Sequence, residues 1–391
     1  MTTYFIWILG LVLGFFWIAR LTQIALGMRK IPDLLAPEWD IPSAEKKWPQ
    51  VSIVVPARNE EQGIEPAMRS LLALEYPNYQ VIAVNDRSSD GTGRILDRIA
   101  ATAGAGMRVI HVTTLPAGWL GKTHAMACGV AEAAGDWMLF TDADVVFRAD
   151  TLRRALAFAE QGAADHLVLF PTMLMKSWSE RMVGGFFQCL FVLSWGHTPW
   201  KVADPRSRDY LGAGAFNLVR RSALEDIGGL EPLRMEVVED MKLGKLIKRG
   251  GFRQHIAFGR DLAALHWAPG AMGMVRNLTK NFFALMDYRW PLAFAAVLAV
   301  LLINVAPFAG ALLAPGWARA GYLVSLACIA AMYVGMSWYS AISPVYVLLH
   351  PLSGCLIAYS ILRSMVVTLW RDGVVWRETK YPLEELRKGL V

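Results

Sequence analysis

Trp137-Met138-Leu139-Phe140-Thr141-Asp142-Ala143-Asp144-Val145 is the stretch on which the fold turns. Four apolar residues run straight into two aspartates spaced i, i+2. An apolar run of this length suits an inner strand of a parallel sheet, buried on both faces. Ligands of open α/β sheets bind just beyond the carboxyl ends of such strands. Two carboxylates there repel each other unless a cation joins them. Hard oxygen ligands shared with substrate phosphates suit Mg2+ or Mn2+. The competing reading is helix capping, a role that Asp150-Thr151 fills a few residues later.

Upstream, the pattern alternates. Val51 to Pro56 is a β-branched strand, Ala57 to Glu61 a loop, and a helix follows through about Leu74. Tyr79 to Val84 is the next strand and ends at Asn85-Asp86-Arg87-Ser88-Ser89-Asp90-Gly91-Thr92. A helix over Gly93 to Ala101 and a strand over Arg108 to Val112 continue the series. This βαβα order predicts an α/β fold with a mostly parallel sheet and helices on both faces. Asp86 falls just past a strand, where such sheets bind ligands; Asp90 is the better capping candidate. In Gly118-Trp119-Leu120-Gly121-Lys122-Thr123, the Gly-Lys-Thr ending is that of a phosphate-binding loop. Pro116 stands where the earlier glycine of that loop belongs, so a nucleotide triphosphatase is excluded. Lys122, at a helix start, is placed to meet an anionic leaving group or to serve as a plain surface lysine.

Downstream come an amphipathic helix over Thr151 to Gln161 and a strand over Leu167 to Pro171. Met173 to Trp200 is rich in aromatics; its apolar core, Met182 to Trp195, is too short to span a bilayer and reads as a buried, re-entrant or interfacial helix. Leu211 to Arg221 reads as a glycine-bearing strand approached closely by another molecule. Glu239-Asp240 opens a helix ending at Gly250-Gly251, an acidic pair at home on a helix N-terminus. Phe252 to Arg260 is a final strand. His124, His197 and His266 read as structural histidines.

The chain's 391 residues are 55% hydrophobic, with net charge +6. Its mean hydropathy, +0.35, is too high for an ordinary soluble enzyme. The apolar excess sits at Tyr4 to Gly27 and in three segments, Leu292 to Leu313, Tyr322 to Trp338 and Val345 to Trp370. No basic stripe interleaved with aromatics points to nucleic acid. The four cysteines, Cys128, Cys189, Cys328 and Cys355, form no Cys-x-x-Cys pair and indicate neither zinc nor a disulfide framework. Basic residues after the first segment (Arg29, Lys30, Lys46, Lys47) place the next domain in the cytoplasm, with the protein in the inner membrane. The expected organisation is a transmembrane helix at 1–28, a linker at 29–50, a cytoplasmic domain at 51–265, an interfacial helix at 266–290, two or three transmembrane segments within 291–370 and a basic tail at 371–391. Two rules conflict at the tail: three full spans put it outside, while its charge wants it inside. Val345 to Trp370 is the segment expected to be re-entrant.

Taken in order, Pro56-Ala57-Arg58-Asn59-Glu60, Asn85-Asp86 with Ser89-Asp90-Gly91-Thr92, Thr141-Asp142-Ala143-Asp144 and Glu239-Asp240 resemble the motifs of membrane-bound family-2 glycosyltransferases. The resemblance covers roughly 51–260, and the Gly118 to Lys122 loop is similar to that of members that glycosylate lipids, such as the ceramide, hopene-associated and carotenoid kinds. It implies a GT-A fold that binds a nucleotide-sugar, usually a UDP-sugar. Asp86 would hold the base, with Pro56, Arg58 and Glu60 nearby. Asp142 and Asp144 would sit by the ribose and diphosphate and hold Mg2+ or Mn2+, Asp144 directly. Lys122 would face the departing diphosphate. Asp240, beside Glu239, would be the general base. Processive members carry Gln-x-x-Arg-Trp before the membrane helices; here Met286-Asp287-Tyr288-Arg289-Trp290 keeps only Arg-Trp. Arg289, Trp290 and Trp267 are the acceptor-side candidates. The implied reaction is inverting transfer of one sugar to a membrane lipid; polysaccharide synthesis ranks second and a non-catalytic scaffold third.

Overall fold

The computed structural model describes residues 2–42, 48–193 and 197–391. Lys46, Lys47 and Trp195 lie outside the described residues. The chain divides into two compact units. One comprises Met1–Lys30, Met175–Trp195 and Trp267–Val374; the other comprises Ile31–Leu174, Gly196–His266 and Val375–Val391.

The apolar unit begins with helix α1 (Thr2–Met28). The globular unit then alternates strands and helices: β1 (Val51–Ala57), α2 (Ile64–Leu72), β2 (Tyr79–Asp86), α3 (Thr92–Ala103), β3 (Met107–Val112), α4 (Gly121–Ala131), β4 (Trp137–Phe140), β5 (Val146–Phe147), α5 (Thr151–Gln161), β6 (His166–Phe170) and β7 (Thr172–Met173). Helix α6 (Trp178–Leu193) belongs to the apolar unit. The globular unit resumes with β8 (Asn217–Arg220), α7 (Arg221–Asp226), α8 (Glu239–Arg249), β9 (Gln254–Phe258) and β10 (Ala263–Leu265). Helices α9 (Gly270–Leu285), α10 (Trp290–Val300), α11 (Ala306–Leu313), α12 (Ala320–Met336) and α13 (His350–Trp370) return to the apolar unit. Strands β11 (Gly373–Trp376) and β12 (Thr379–Pro382) and helix α14 (Leu383–Lys388) end the chain.

The main sheet has the order β3-β2-β1-β4-β8-β6-β9. All its neighbours are parallel except β8, which runs antiparallel to both β4 and β6. Every residue of Trp137–Phe140 is buried, as expected of an inner strand. The carboxyl ends of β1, β2 and β4 therefore open on one edge, and Arg58, Asp86 and Asp142 follow them there. The N-cap of α3 is Gly91 and not Asp90, but Asp90 Oδ1 accepts from the Thr92 amide at the start of the helix (3.0 Å), which leaves Asp86 for another task.

Three expectations change. Residues 211–216 are not strand: β8 starts at Asn217, because the segment before it is packed against α8. Where a close approach by another molecule was expected, the neighbour is the chain itself. A Cβ on Gly212 would lie 1.8 Å from the Asp240 carbonyl oxygen. The linker at 29–50 is partly core, with Leu34 and Trp39 buried among residues of β1 and α5. The tail from Val375 folds as part of the globular unit.

Among the described residues, four helices are long and apolar enough to cross a membrane: Tyr4–Met28, Trp290–Leu313, Gly316–Met336 and Pro344–Trp370. Within the apolar unit the two Nη atoms of Arg20 donate to Gln23 Oε1 (2.9 Å) and the Val192 carbonyl (3.0 Å), which offsets part of the cost of a cation there. His350 is fully buried between Asn304 and Tyr333 (3.2 Å to each), next to a π-helical turn over Leu301–Val305. The four cysteines are free thiols.

Candidate active site

A small cleft is lined by Pro56, Lys122, Thr141, Asp142, Asn217, Glu239 and Asp240, among others. Four elements converge on it. β1 ends at Pro56-Ala57, β4 delivers Thr141-Asp142, α4 starts at Gly121-Lys122, and α8 starts at Glu239-Asp240. The loop before β8 stitches them together: the Asp142 amide donates to the Gly214 carbonyl (2.9 Å) and Thr141 Oγ1 donates to the Ala215 carbonyl (2.9 Å). A Cβ on Gly214 would lie 2.5 Å from Asp142 Oδ2, so only glycine leaves the carboxylate room.

Lys122 Nζ lies 2.5 Å from Asp142 Oδ1 and 2.6 Å from Glu239 Oε1. Burial works against its ammonium, but Asp142, Glu239 and Asp240 outweigh that and hold the lysine firmly protonated. Glu239 is buried, and burial raises its carboxyl, with Asp240 and Asp142 adding to the rise and Lys122 opposing it. Asp240 is partly open to the cleft. Its Oδ2 accepts from the Gly214 amide (2.9 Å) and its Oδ1 from the Met241 amide (2.8 Å), so its orientation is fixed by main chain. It sits on the first turn of α8, where the helix dipole favours a carboxylate.

Asp144 differs. Burial, Asp142 and Glu60 together push its carboxyl up to about 6, against its own amide and Lys122. A half-buried carboxyl raised by two neighbouring carboxylates is a donor set that fits a hard divalent cation. Among the described residues no three His, Cys, Asp or Glu side chains gather into a ready metal site. Asp142 and Asp144 would thus supply two oxygens and substrate phosphates the others.

The nucleoside-side candidates form a second cluster. Asp86 is buried and engaged by Arg87 at 2.7 and 3.1 Å, with Arg58 at 3.8 Å. Arg87 has φ 54°, a left-handed conformation uncommon outside glycine. Asn59, also left-handed, ties the two loops: its Oδ1 accepts from the Ser89 amide (2.8 Å) and its amide donates to Ser88 Oγ (3.1 Å). Glu60 pairs with Arg377.

Trp267, Arg289 and Trp290 are part of the apolar unit. Trp267 lies 4.9 Å from the Phe187 ring, Arg289 precedes α10, and Trp290 is exposed at its start. His124 packs on Trp119, and His197 Nδ1 donates to the Tyr210 carbonyl (3.2 Å). Sequence reasoning missed three partners. The Lys122–Glu239 pair joins residues far apart in the chain. Arg87 was legible only as the neighbour of Asp86. His166, fully buried and donating through Nε2 to Asn217 Oδ1 (3.1 Å), positions a cleft residue.

The family model for glycosyl transferase family 2 matches residues 52–228. The 4,4'-diaponeurosporenoate glycosyltransferase of Staphylococcus aureus (strain USA300) is 28% identical over 196 residues, 50% of this chain and 50% of that protein. The same figures hold for strain NCTC 8325. The chain thus spans about half the length of the curated relatives it matches. A mannosyltransferase from Pyrobaculum calidifontis, solved in complex with GDP-Man and Mn2+, superposes with a TM-score of 0.55 at 18% identity, over 93% of this chain and 99% of that one.

Proposed function

We propose, for a chain whose residues 52–228 belong to glycosyl transferase family 2, that it transfers a single sugar from a nucleotide-sugar to a lipid hydroxyl, with inversion. The observation that carries this reading is Lys122, whose ammonium joins Asp142 to Glu239 in the cleft where Asp240 also lies. A leaving-group cation, a phosphate-side carboxylate and a base then share one space.

Asp240 accepts the proton of the acceptor hydroxyl through an oxygen held in place by the Gly214 or Met241 amide. The acceptor oxygen forms its bond to the anomeric carbon as the bond to the diphosphate breaks, through an oxocarbenium-like state. One displacement on the opposite face inverts the centre. Lys122 lowers the energy of the departing diphosphate. A divalent cation held by Asp142 and Asp144 would neutralise further charge on that leaving group when bound. Glu239 keeps Lys122 in place. UDP is the expected nucleotide. GDP is the alternative, since the mannosyltransferase of like fold carries GDP-Man.

A lipid acceptor is favoured by the four apolar helices and by the likeness to a glycosyltransferase named for a carotenoid acid. The tail shares a unit with the globular domain. That supports an even number of crossings between 266 and 375, with both on the cytoplasmic face as the proposed orientation. The test incubates membranes containing the protein with labelled UDP-glucose, UDP-galactose, UDP-GlcNAc and GDP-mannose, with Mg2+ or Mn2+. The expected product is a lipid bearing one sugar, inverted by NMR. Label only in insoluble polymer, or retention, contradicts the proposal.

A further inference from the structure

The last part of the globular unit lies on the residues assigned to the nucleoside. β11 and β12 are joined by Arg377 and Glu378, with φ of 45° and 68°. Two consecutive left-handed residues make a tight hairpin turn that Asn and Gly fill at lower cost. Such backbone persists where surrounding contacts hold it, and it clusters at switches. The contacts here are specific. Arg377 pairs with Glu60. Arg58 Nη1 donates to Thr379 Oγ1 (3.4 Å). The Gly121 amide, at the positive end of α4 beside Lys122, donates to the buried Tyr381 hydroxyl (3.1 Å). Tyr381 also interacts with Arg87, which covers Asp86.

Arg58 and Glu60, which the strap engages, and Asp86, which Arg87 covers, are the groups assigned to the nucleoside. Asp86 is only 3% exposed, so a base cannot reach it while Arg87 and Tyr381 stay where they are. Arg58 also buries an Nε with no hydrogen-bond partner. The far end of the segment is fixed separately: the Val391 amide donates to Glu236 Oε1 (2.8 Å) and its carbonyl accepts from Lys242 (3.3 Å), both side chains being buried.

We propose that residues 375–391 form a strap over the nucleoside half of the donor site, latched by Arg377 on Glu60, and that a nucleotide-sugar enters by releasing the latch. This rests on the nucleotide-sugar reading of Arg58, Glu60 and Asp86. The strap and the nucleotide compete for one set of partners. The apparent affinity is then reduced by the closed fraction, and a weaker latch gives tighter binding.

The experiment uses the full chain in detergent and compares wild type, Arg377→Ala and Arg377→Lys. UDP and GDP affinities are measured with Mg2+, together with hydrogen exchange and tryptic cleavage within 375–391. Arg377→Ala should bind nucleotide about threefold more tightly or better, the scale on which one partly exposed ion pair biases such an equilibrium. Arg377→Lys should stay near wild type, and nucleotide should speed exchange in the strap. Unchanged or weaker binding by Arg377→Ala, or a strap that nucleotide protects, overturns the proposal in favour of a fixed wall. If Arg377→Ala loosens the strap while neither nucleotide binds any variant, the nucleotide reading itself has failed, and the strap's role with it.

Discussion

Two acidic pairs, Glu239-Asp240 and Asp142-Ala143-Asp144, mark the candidate site, and the fold treats them differently. Glu239 and Asp240 are provided for from within: Lys122 meets one, and the amides of Gly214 and Met241 meet the other. Asp142 shares the same lysine, but Asp144 is raised to about 6 by burial and by its carboxylate neighbours. A pair with fixed internal partners suits a base whose geometry must not drift. Asp144, raised by its carboxylate neighbours, suits a cation brought from outside.

Three measurements break or sharpen that contrast. The largest effect belongs to Lys122→Met, which leaves Glu239 buried beside two carboxylates with no cation. Stability should fall by about 3 kcal/mol in thermal or chemical unfolding, and turnover by about 100-fold or more. Adding Glu239→Gln should restore most of the stability but not the turnover; a double variant as unstable as the single one would show that the pair is not the cause.

His166 gives the next effect, as a buried ionisable group held by neutral partners alone. It donates to Asn217 and accepts from Gln254 Nε2 (2.6 Å), and burial lowers it to about 4. Because the folded value lies below the unfolded one, its contribution is complete above about pH 6.5 and drains away as pH falls toward 4. The loss should reach about 2–3 kcal/mol in pH-dependent unfolding. A His166→Gln variant that keeps the same acid dependence would exclude this source.

The smallest effect is a gain. The Asp144 carboxyl is raised, so its cost to the fold is absent below about pH 4 and grows as pH rises through about 6. Asp144→Asn should therefore match wild type at pH 4 and exceed it by about 1–2 kcal/mol at pH 8. Mn2+ should stabilise wild type and leave the variant unmoved. A variant less stable at pH 8 would mean that Asp144 is already compensated by the protein.

The same contrast marks what could be read from the chain. Trp137–Phe140 and Thr151–Gln161 stand where the apolar patterns put them, because burial on both faces and helical periodicity leave a plain signal. Asp142, Lys122, Glu239 and Asp240 line one cleft although they come from separate parts of the chain. Residues 211–216 were misread because glycines that admit the Asp240 main chain look like glycines in a strand. The tail was misread because its hairpin is polar and buries little beyond Tyr381, Leu383 and Leu386. Its attachment lies in pairings such as Arg377 with Glu60, which no local pattern announces. Leu34 and Trp39 were hidden in a proline-rich stretch that reads as a spacer.

Asp240 is the residue proposed to remove the acceptor proton while the rest of the site binds donor. Steady-state turnover and UDP affinity of Asp240→Asn, measured side by side with wild type, test it most directly. The expected result is a loss of turnover of about 10^3-fold with UDP affinity within about twofold of wild type. An Asp240→Asn enzyme that still turns over near the wild-type rate would contradict the assignment.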